Sequence, residues 1–198
     1  MKMLDRIVDI VLATVGALVF VITYPVIAIA IKLDTPGPAI FSHKRVGLKG
    51  KTFTFYKYRT MSHEGHEPYQ TPKLEAEHFK TFIFVTPTSR LTRVGRVLRA
   101  TSLDELPNFW NVLKGDMRMV GPRPEIPELV EQYPAEYHRR HDVKPGITGL
   151  AQVNGRADLT YEETMHYDLD YVNNHSLTRD VAIMVRTVAV VLSRKGAR

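Results

Sequence analysis

Residues 10–31 read IVLATVGALVFVITYPVIAIAI and form the longest uncharged stretch of the chain. A straight helix of these 22 residues would measure about 33 Å, enough to cross a hydrocarbon core of about 30 Å. The stretch is long for the apolar part of a cleaved signal peptide, and no small-residue cleavage site follows it. It therefore predicts a membrane segment near the N-terminus.

Two features of this stretch favour a helix that enters the membrane, bends and returns. Pro25 lacks an amide hydrogen and clashes with the preceding turn, so residues 10–24 alone would reach only about 22 Å. Basic residues, which collect on cytoplasmic flanks, lie on both sides: Lys2, Arg6, Lys32, Lys44 and Arg45. We predict a re-entrant helix over residues 1–33 with its break at Pro25, where the Thr23 hydroxyl is the nearest partner for a freed backbone group. A simple span and a buried core helix remain open.

The composition of the whole chain indicates a folded protein with an anionic partner. Its 198 residues are enough for one domain with a real core, and 27 Lys and Arg against 21 Asp and Glu give a net charge of +6. A basic balance favours nucleic acid, an anionic membrane face or a phosphorylated substrate, and does not choose among them. The chain has no cysteine, which excludes disulfides and thiolate metal sites.

A β-hairpin is predicted directly after the apolar segment. Alternating residues predict its two strands at 39–46 and 51–60, and glycines predict its turn at 47–50. Phe53 and Phe55 fall on one face of the second strand, and that face continues into Lys57 and Arg59. A face that is apolar at one end and cationic at the other suits a membrane surface or a phosphate.

The rest of the chain is mostly predicted as helix. The predicted helices cover 107–114, 125–141 with a break near Pro134, 160–172 and 178–194, with some helix near 73–80. The last is amphipathic, which suits core packing or docking on a membrane surface. Four arginines recur every three residues at Arg90, Arg93, Arg96 and Arg99. On a helix they form either a solvated face or a face for anionic headgroups or a phosphate. The pair His63 and His66 is predicted to lie in a solvated loop rather than to bind a metal.

Adjacent carboxylates at Asp104 and Glu105 are the strongest candidates for chemistry. Ser102 and Glu105 also match a capping box, but a helix that starts at Pro107 fits equally well. In the second case both carboxylates lie just before a helix N-terminus, where anions are favoured. Because neighbouring residues do not share a helix face, one is expected to attack while the other holds a metal ion.

Two further segments carry cations in proline- or glycine-rich surroundings. Pro122 and Pro124 frame Arg123, and a guanidinium fixed in this way suits bidentate phosphate binding, although an exposed turn is the simpler alternative. The segment 144–149, KPGITG, either cradles an anion or forms an ordinary turn. Its spacing differs from that of a Walker A loop.

Taken in order, these segments resemble the bacterial monotopic phosphoglycosyl transferases, small sugar transferases that start the assembly of lipid-linked glycans. The resemblance covers nearly the whole chain. It is carried by Arg6-x-x-Asp9, the apolar segment with Pro25, FYKYRTM at 55–61, SLDELP at 102–107, NVLKGDM at 111–117, VGPRP at 120–124 and KPGITGLAQVNGR at 144–156.

The resemblance implies an α+β, mostly helical fold: a re-entrant membrane helix at 1–33, with Arg6 and Asp9 at the membrane interface, and a catalytic domain at 34–198. A short β-hairpin and amphipathic helices at the membrane surface complete this expectation. The resemblance further implies a location on the cytosolic face of the bacterial inner (cytoplasmic) membrane, as a monotopic protein. Membrane lipids, a UDP-sugar, polyprenol (undecaprenyl) phosphate and downstream glycosyltransferases are the expected partners.

The implied reaction has two steps and uses Mg²⁺. Asp104 would attack the β-phosphate of the UDP-sugar and release UMP, and polyprenol phosphate would then take the sugar phosphate from Asp104. Glu105 would bind the metal ion. The expected substrate-binding residues are Lys57, Arg59, Arg99, Arg123 and Arg156, the last on the nucleotide side. An N-acetylated amino sugar is the expected donor, with a hexose as the alternative.

Two positions depart from the family pattern. Tyr24 precedes Pro25 where relatives often carry a small hydroxyl residue, and Leu150 stands where many carry Trp, which affects either packing or sugar preference. The alternative to an enzyme is a basic adapter that binds anionic lipid through residues 90–99 and the last helix. Nucleic acid is not an expected partner, because neither a binding module nor clustered stacking aromatics are recognisable.

Overall fold

The computed structural model describes residues 3–62, 78–83 and 90–193. Its α-helices are α1 Met3–Asp34, α2 Arg93–Ala100, α3 Phe109–Lys114, α4 Pro127–Val130, α5 Leu150–Asn154, α6 Tyr161–Asn173 and α7 Leu177–Ser193. Its strands are β1 Ile40–Val46, β2 Thr52–Tyr58, β3 Arg118–Val120 and β4 Gly146–Thr148. The predicted α+β, mostly helical class is therefore confirmed. The pair His63 and His66, and residues 73–77 of the helix predicted near 73–80, lie outside the described residues.

Helix α1 is continuous over 32 residues, about 48 Å at 1.5 Å per residue, and Pro25 lies inside it. Pro25 therefore does not interrupt the helix, and the bend predicted there stays a prediction. Proline removes one amide hydrogen, but the residues after it keep theirs and continue the helix. The predicted role of Thr23 is wrong, since its hydroxyl donates to the Val19 carbonyl (2.7 Å), one turn back, and not to the carbonyl that Pro25 leaves free.

Both ends of α1 contact the rest of the protein. Near the N-terminus Ala13 and Gly16 are buried, and a Cβ added to Gly16 would come within 2.5 Å of the Phe109 ring. Near the C-terminus Ala28 and Ile31 are buried in one apolar cluster with Tyr58 of β2. The opposite face is exposed and apolar, and includes Val11, Val15, Leu18, Ile22, Val26 and Ile29. The helix thus lies along the domain with one face uncovered.

Strands β1 and β2 form the predicted antiparallel hairpin, with Ile40 opposite Tyr58 and Val46 opposite Thr52. The turn over 48–50 has Gly50 at a φ of 75°, which glycine adopts readily. Phe53 and Phe55 are buried on one face as predicted, and pack near Val112 and Met117. This packing holds β2 against the segment that carries the two carboxylates.

Residues 103–114 form a 3₁₀ helix over Leu103–Asn108 that leads into α3, and Gly115 ends α3 in the left-handed conformation. The capping box predicted at Ser102 is wrong. Ser102 has a φ of 57°, and its side chain caps no backbone amide. The Glu105 carboxylate instead contacts Asn108 and Arg123, so it is not available for the Ser102 amide.

The C-terminal half contains α6 and α7 close to their predicted positions, and α6 begins with a capping box of Thr160 and Glu163. The helix predicted over 125–141 is shorter, with α4 before Pro134 and a 3₁₀ helix over Ala135–Asp142 after it. Strands β3 and β4 pair in parallel. Leu150 is buried in a cluster with Tyr171 and Ile183, so this position serves packing.

Candidate active site

Asp104 and Glu105 lie side by side in the 3₁₀ helix, and cationic side chains from other segments surround them. Asp104 is 6 % exposed. Lys57 reaches both from β2, with its Nζ 3.5 Å from Asp104 Oδ2 and 3.7 Å from Glu105 Oε1. Lys57 is placed there because it continues the inward face of β2 that begins with Phe53 and Phe55. One ammonium group therefore bridges the pair.

Glu105 is held by two hydrogen-bond donors. Arg123 Nη2 donates to Oε1 at 2.8 Å, and Asn108 Nδ2 donates to Oε2 at 2.6 Å. Burial alone would raise the pKa of Glu105, but the charges of Arg123 and Lys57 and these hydrogen bonds outweigh it and lower the pKa to about 2. Glu105 is therefore a fixed anion at any physiological pH.

Asp104 has the opposite electrostatic character. Burial raises its pKa above the ordinary value, and the neighbouring Glu105 charge raises it further, while Lys57, Arg123 and Arg99 oppose the change. The pKa values of the two adjacent carboxylates are thus shifted in opposite directions. This pattern is typical of two acids that have different roles in one site. Asp104 is also the less restrained of the two, because Lys57 at 3.5 Å is its nearest ionic partner among the described ion pairs.

Arg123 is fixed from behind as well as by Glu105. The buried Arg140 donates from Nη2 to the Arg123 carbonyl at 2.7 Å. Arg140 is itself held by Asp168 of α6 at 2.6 Å and by the Tyr133 hydroxyl at 2.8 Å. The prolines on each side of Arg123 restrict its backbone further. The guanidinium therefore points at the carboxylate pair from a rigid loop.

Arg99 and Arg156 approach the same pair from two other segments. Arg99 Nε donates to Thr60 Oγ1 at 3.1 Å, and Arg156 Nη2 donates to Ser102 Oγ at 3.0 Å. Burial lowers the pKa of both arginines, and the negative charges of Asp104 and Glu105 oppose this. The structure thus brings together Lys57, Arg99, Arg123 and Arg156 of the predicted substrate-binding residues.

Arg59, the fifth predicted substrate-binding residue, is not at this site. It is buried, and its guanidinium contacts Thr35 Oγ1 and donates to the Pro38 carbonyl (2.7 Å) and the Thr35 carbonyl (2.8 Å). It follows β2, so the alternation that points Lys57 inward no longer applies. Arg59 instead connects the C-terminal end of α1 to the hairpin.

The position of Arg6 and Asp9 at the membrane interface stays a prediction, and the structure shows what their side chains contact within the protein. Arg6 donates to the carbonyls of Val112 (2.8 Å) and Leu113 (3.0 Å) at the end of α3. Asp9 is buried and accepts from Arg118 Nε at 3.0 Å. Both side chains therefore face the domain, since partners far along the chain satisfy their charges.

Three residues of the site carry no motif that predicts them from the sequence: Asn108, His43 and Arg45. Asn108 holds Glu105 and accepts a hydrogen bond from the Tyr56 amide at 3.3 Å. On β1, Arg45 Nε donates to His43 Nε2 at 3.1 Å, and burial followed by the Arg45 charge lowers the pKa of His43 to about 3. The strand alternation was the available signal, because it places His43 directly opposite Phe55.

The donor set fits a magnesium ion that substrate phosphates help to hold. Among the described residues, no group of three or more His, Asp or Glu side chains could enclose a metal ion. Mg²⁺ bound with nucleotides typically takes one or two carboxylates, with phosphate oxygens and water as its other ligands. Glu105 is ionised, and each carboxylate oxygen accepts more than one contact, so Glu105 with Asp104 fits this arrangement.

Comparisons with known proteins identify the family of the chain. The sequence profile of the family described as "Bacterial sugar transferase" matches residues 1–194. A Haemophilus influenzae protein named as an uncharacterized sugar transferase is 41 % identical over 204 residues, covering 99 % of this chain and 42 % of its own. The Salmonella typhimurium undecaprenyl-phosphate galactose phosphotransferase is 45 % identical over 166 residues, covering 81 % of this chain and 35 % of its own.

A Caulobacter vibrioides protein named UDP-glucose:undecaprenyl-phosphate glucose-1-phosphate transferase is 40 % identical over 202 residues, covering 97 % of this chain and 71 % of its own. The chain spans less than half the length of the Haemophilus and Salmonella relatives. The names of the Salmonella and Caulobacter relatives share a lipid phosphate and differ in the sugar.

Proposed function

Because the chain belongs to the bacterial sugar transferase family, we propose that it transfers a sugar 1-phosphate from a UDP-sugar to polyprenol phosphate at the cytosolic face of the membrane. The observation that carries the proposal is the pair Asp104 and Glu105. The two carboxylates are adjacent and opposite in their pKa shifts, and Lys57 lies within 3.7 Å of both. The product would start the assembly of a lipid-linked glycan for downstream glycosyltransferases.

In the first step, Asp104 is the nucleophile. An oxygen of its carboxylate forms a bond to the β-phosphorus of the UDP-sugar, and the bond from that phosphorus to the bridging oxygen of the diphosphate breaks. UMP leaves with the bridging oxygen, and a sugar-phosphoryl-aspartate remains on the enzyme. Asp104 suits this role because its contact with Lys57 is longer than those by which Arg123 and Asn108 hold Glu105.

In the second step, a phosphate oxygen of polyprenol phosphate attacks the same phosphorus. The bond to Asp104 breaks, the carboxylate returns to its starting state, and polyprenol diphosphate-sugar is released. A covalent intermediate allows the two substrates to use one site in turn, which suits a water-soluble donor and a membrane-bound acceptor. The same cations serve both steps because both transfer the same phosphoryl group.

The remaining residues supply charge and position. Arg123, Arg99 and Lys57 would bind the phosphate oxygens, since cations aimed at a transferring phosphoryl group stabilise the charge of its transition state. Glu105, with Asp104, would hold Mg²⁺. The ion would supply Lewis-acid neutralisation of the diphosphate. Arg140 keeps Arg123 in place through its carbonyl.

Contacts at the two ends of α1 support a monotopic arrangement. Arg6 and Asp9 bind α3 and Arg118 at one end, while Arg59 and the Val94 amide bind the other end at Thr35 and Asp34. A helix that is bound at both ends to one domain cannot place those ends on opposite sides of a bilayer. The uncovered apolar face of α1 would then lie in the cytosolic leaflet, as an interfacial helix does.

Labelling of single cysteines tests this topology, since the chain has no cysteine of its own. Met3 and Leu33 are 82 % and 84 % exposed at the two ends of α1. In sealed inside-out vesicles both Met3→Cys and Leu33→Cys should react with a membrane-impermeant maleimide, and in right-side-out vesicles neither should. Opposite labelling of the two positions would show a span.

Release of UMP tests the reaction. Detergent-purified protein is incubated with Mg²⁺, polyprenol phosphate and a panel of UDP-hexoses and UDP-N-acetylhexosamines, because the relatives differ in their sugar. At least one donor should give UMP with wild-type protein and with the surface control Asp142→Asn, and Asp104→Asn should reduce the rate at least about 10³-fold, to the background. Donor labelled in the sugar phosphate should label wild-type protein but not Asp104→Asn.

Two results would contradict the proposal. If Asp104→Asn released UMP as fast as wild-type protein, Asp104 would not be the nucleophile. If no donor released UMP while the protein still bound anionic vesicles, the adapter alternative would replace the enzyme.

A further inference from the structure

Two residues with left-handed backbones meet at the edge of the active site. Among the described residues, three that are not glycine have a positive φ: Lys49 (54°), Ser102 (57°) and Arg156 (54°). Lys49 lies in the turn of the hairpin, where this conformation is common. Ser102 and Arg156 lie 54 positions apart, and Arg156 Nη2 donates to Ser102 Oγ at 3.0 Å.

Neither residue type favours this backbone. A side chain with a Cβ crowds the backbone in the left-handed region, and glycine or asparagine would fill these positions at lower free energy. Strained residues of this kind concentrate at functional sites, where the strain holds a required geometry. A serine at position 102 therefore indicates that its hydroxyl is used, because glycine would suit the backbone better.

The surroundings of Arg156 show what the contact achieves. The guanidinium is partly buried near Arg123, a second guanidinium, and both face the charges of Asp104 and Glu105. Two like charges held near one carboxylate pair repel each other, so this arrangement needs restraint. Ser102, two residues before Asp104, provides a neutral acceptor that fixes Arg156 without cancelling its charge.

We propose that Ser102 is a positioning residue that holds Arg156 toward the diphosphate of the sugar nucleotide. This inference rests on the proposed function and adds a residue to it. Arg123 is fixed by Arg140, and Arg156 is fixed by Ser102, so two guanidiniums reach one diphosphate from different segments. The acceptor substrate is a monophosphate on a lipid and attacks after UMP has left, so we expect that its binding does not depend on Ser102.

Three variants separate the hydroxyl from the backbone. Ser102→Ala removes the hydroxyl and keeps the strain, and Ser102→Gly removes both. Lys49→Gly relieves a left-handed residue in the hairpin turn, away from the site, and serves as the matched control. Steady-state kinetics are measured for the UDP-sugar that gives UMP and for polyprenol phosphate, together with the melting temperature of each variant.

Ser102→Ala and Ser102→Gly should both raise KM for the UDP-sugar about 10-fold, the loss of one hydrogen bond to a charged group, with kcat changed less than about threefold. KM for polyprenol phosphate should not change. Ser102→Gly should melt no lower than Ser102→Ala, so its loss of affinity cannot come from unfolding. Lys49→Gly should keep the wild-type KM. Added to Arg156→Ala, Ser102→Ala should raise KM no further.

A wild-type KM for Ser102→Gly would overturn the inference, because the hydroxyl would then be unnecessary. Additive effects of Ser102→Ala and Arg156→Ala would also overturn it. If wild-type protein released no UMP from any donor, the proposed function would fail, and binding of UDP alone would then decide the role of Ser102. A UDP affinity lower in Ser102→Gly than in wild-type protein supports the positioning role, and an equal affinity refutes it.

Discussion

Arg140 and Asp168 form a buried ion pair whose two members should respond differently to replacement. Both side chains are almost fully buried, and Asp168 accepts twice from Arg140, at 3.1 and 2.6 Å. An arginine cannot lose its proton, so Asp168→Leu leaves a charge inside the protein. Removing one partner of a buried pair in this way costs about 3–5 kcal/mol of unfolding free energy.

The reverse change should cost less, because a carboxyl can become neutral. Burial already raises the pKa of Asp168 to about 6, although Arg140 opposes this. In Arg140→Met that opposition is gone, the pKa rises further, and Asp168 is protonated at pH 7. The remaining cost is that of a neutral unsatisfied group and of the Arg123 carbonyl that loses its donor, each near the lower end of about 1–3 kcal/mol because neither group is charged.

The pH dependence of Arg140→Met follows from the sign of this shift. A carboxyl with a folded pKa above its unfolded pKa binds more protons in the folded state, so stability falls as pH rises between the two values. In wild-type protein this fall ends near pH 6. In Arg140→Met it should continue above pH 6.

Equilibrium unfolding in urea at pH 7, followed by far-ultraviolet circular dichroism in detergent, measures these differences. Asp168→Leu should be the least stable of the three variants, and the double variant Arg140→Met/Asp168→Leu should recover about 2 kcal/mol of its loss, because no unpaired charge remains. If the double variant lost the sum of the two single losses, or if Arg140→Met were the less stable single variant, this account of the pair would be refuted.

Three more predictions follow from buried or exposed side chains. Arg59→Gln should lower the unfolding free energy by about 2–4 kcal/mol, because two carbonyls lose their donor. It should leave KM for the UDP-sugar unchanged in the UMP assay. A raised KM would show that Arg59 contributes to the active site. Burial lowers the pKa of His43 to about 3 and of His141 to about 4, so unfolding takes up protons below pH 6.5. Each histidine should therefore contribute a loss of up to about 1.4 kcal/mol per pH unit to the stability measured in urea as pH falls from 6 to 4, and the raised pKa of Asp168 opposes this loss in the same range. His141→Gln should flatten this slope, and an unchanged slope would contradict the assignment. Trp110, the one tryptophan, is 56 % exposed on α3, and vesicles of brominated lipid should quench its fluorescence; no quenching would place α3 away from the membrane.

Local patterns in the sequence predicted the elements whose packing is local. The alternation at 39–60 located the hairpin and pointed Phe53, Phe55 and Lys57 inward, and helical periodicity located α6 and α7. The carboxylate pair and Arg123 were found because their residue types and framing prolines are unusual together. These features depend on neighbours in sequence, which is why they could be predicted.

The errors lie where distant partners decide the outcome. Arg6 and Asp9 next to an apolar run predict a position at the membrane interface, which no contact within the protein tests, and their partners Val112 and Arg118 could not be predicted because they lie more than 100 positions away. Arg59 lies two residues after Lys57, and strand alternation therefore predicts that both side chains share one face. The strand ends at Tyr58, however, and the chain turns toward α1. Side-chain alternation holds only within a strand, so it could not predict this contact.

The distance along the chain between Asp9 and Arg118 also has a consequence for biosynthesis. Helix α1 is made first, and 109 residues separate Asp9 from the arginine that neutralises it. At about 5–20 residues per second, the ribosome needs roughly 5–20 s to supply that partner. During this time Asp9 still lacks Arg118, and a carboxylate deep in hydrocarbon is costly. On the proposed membrane location, we therefore expect the nascent helix to keep its first turns within reach of water until the rest of the chain covers them.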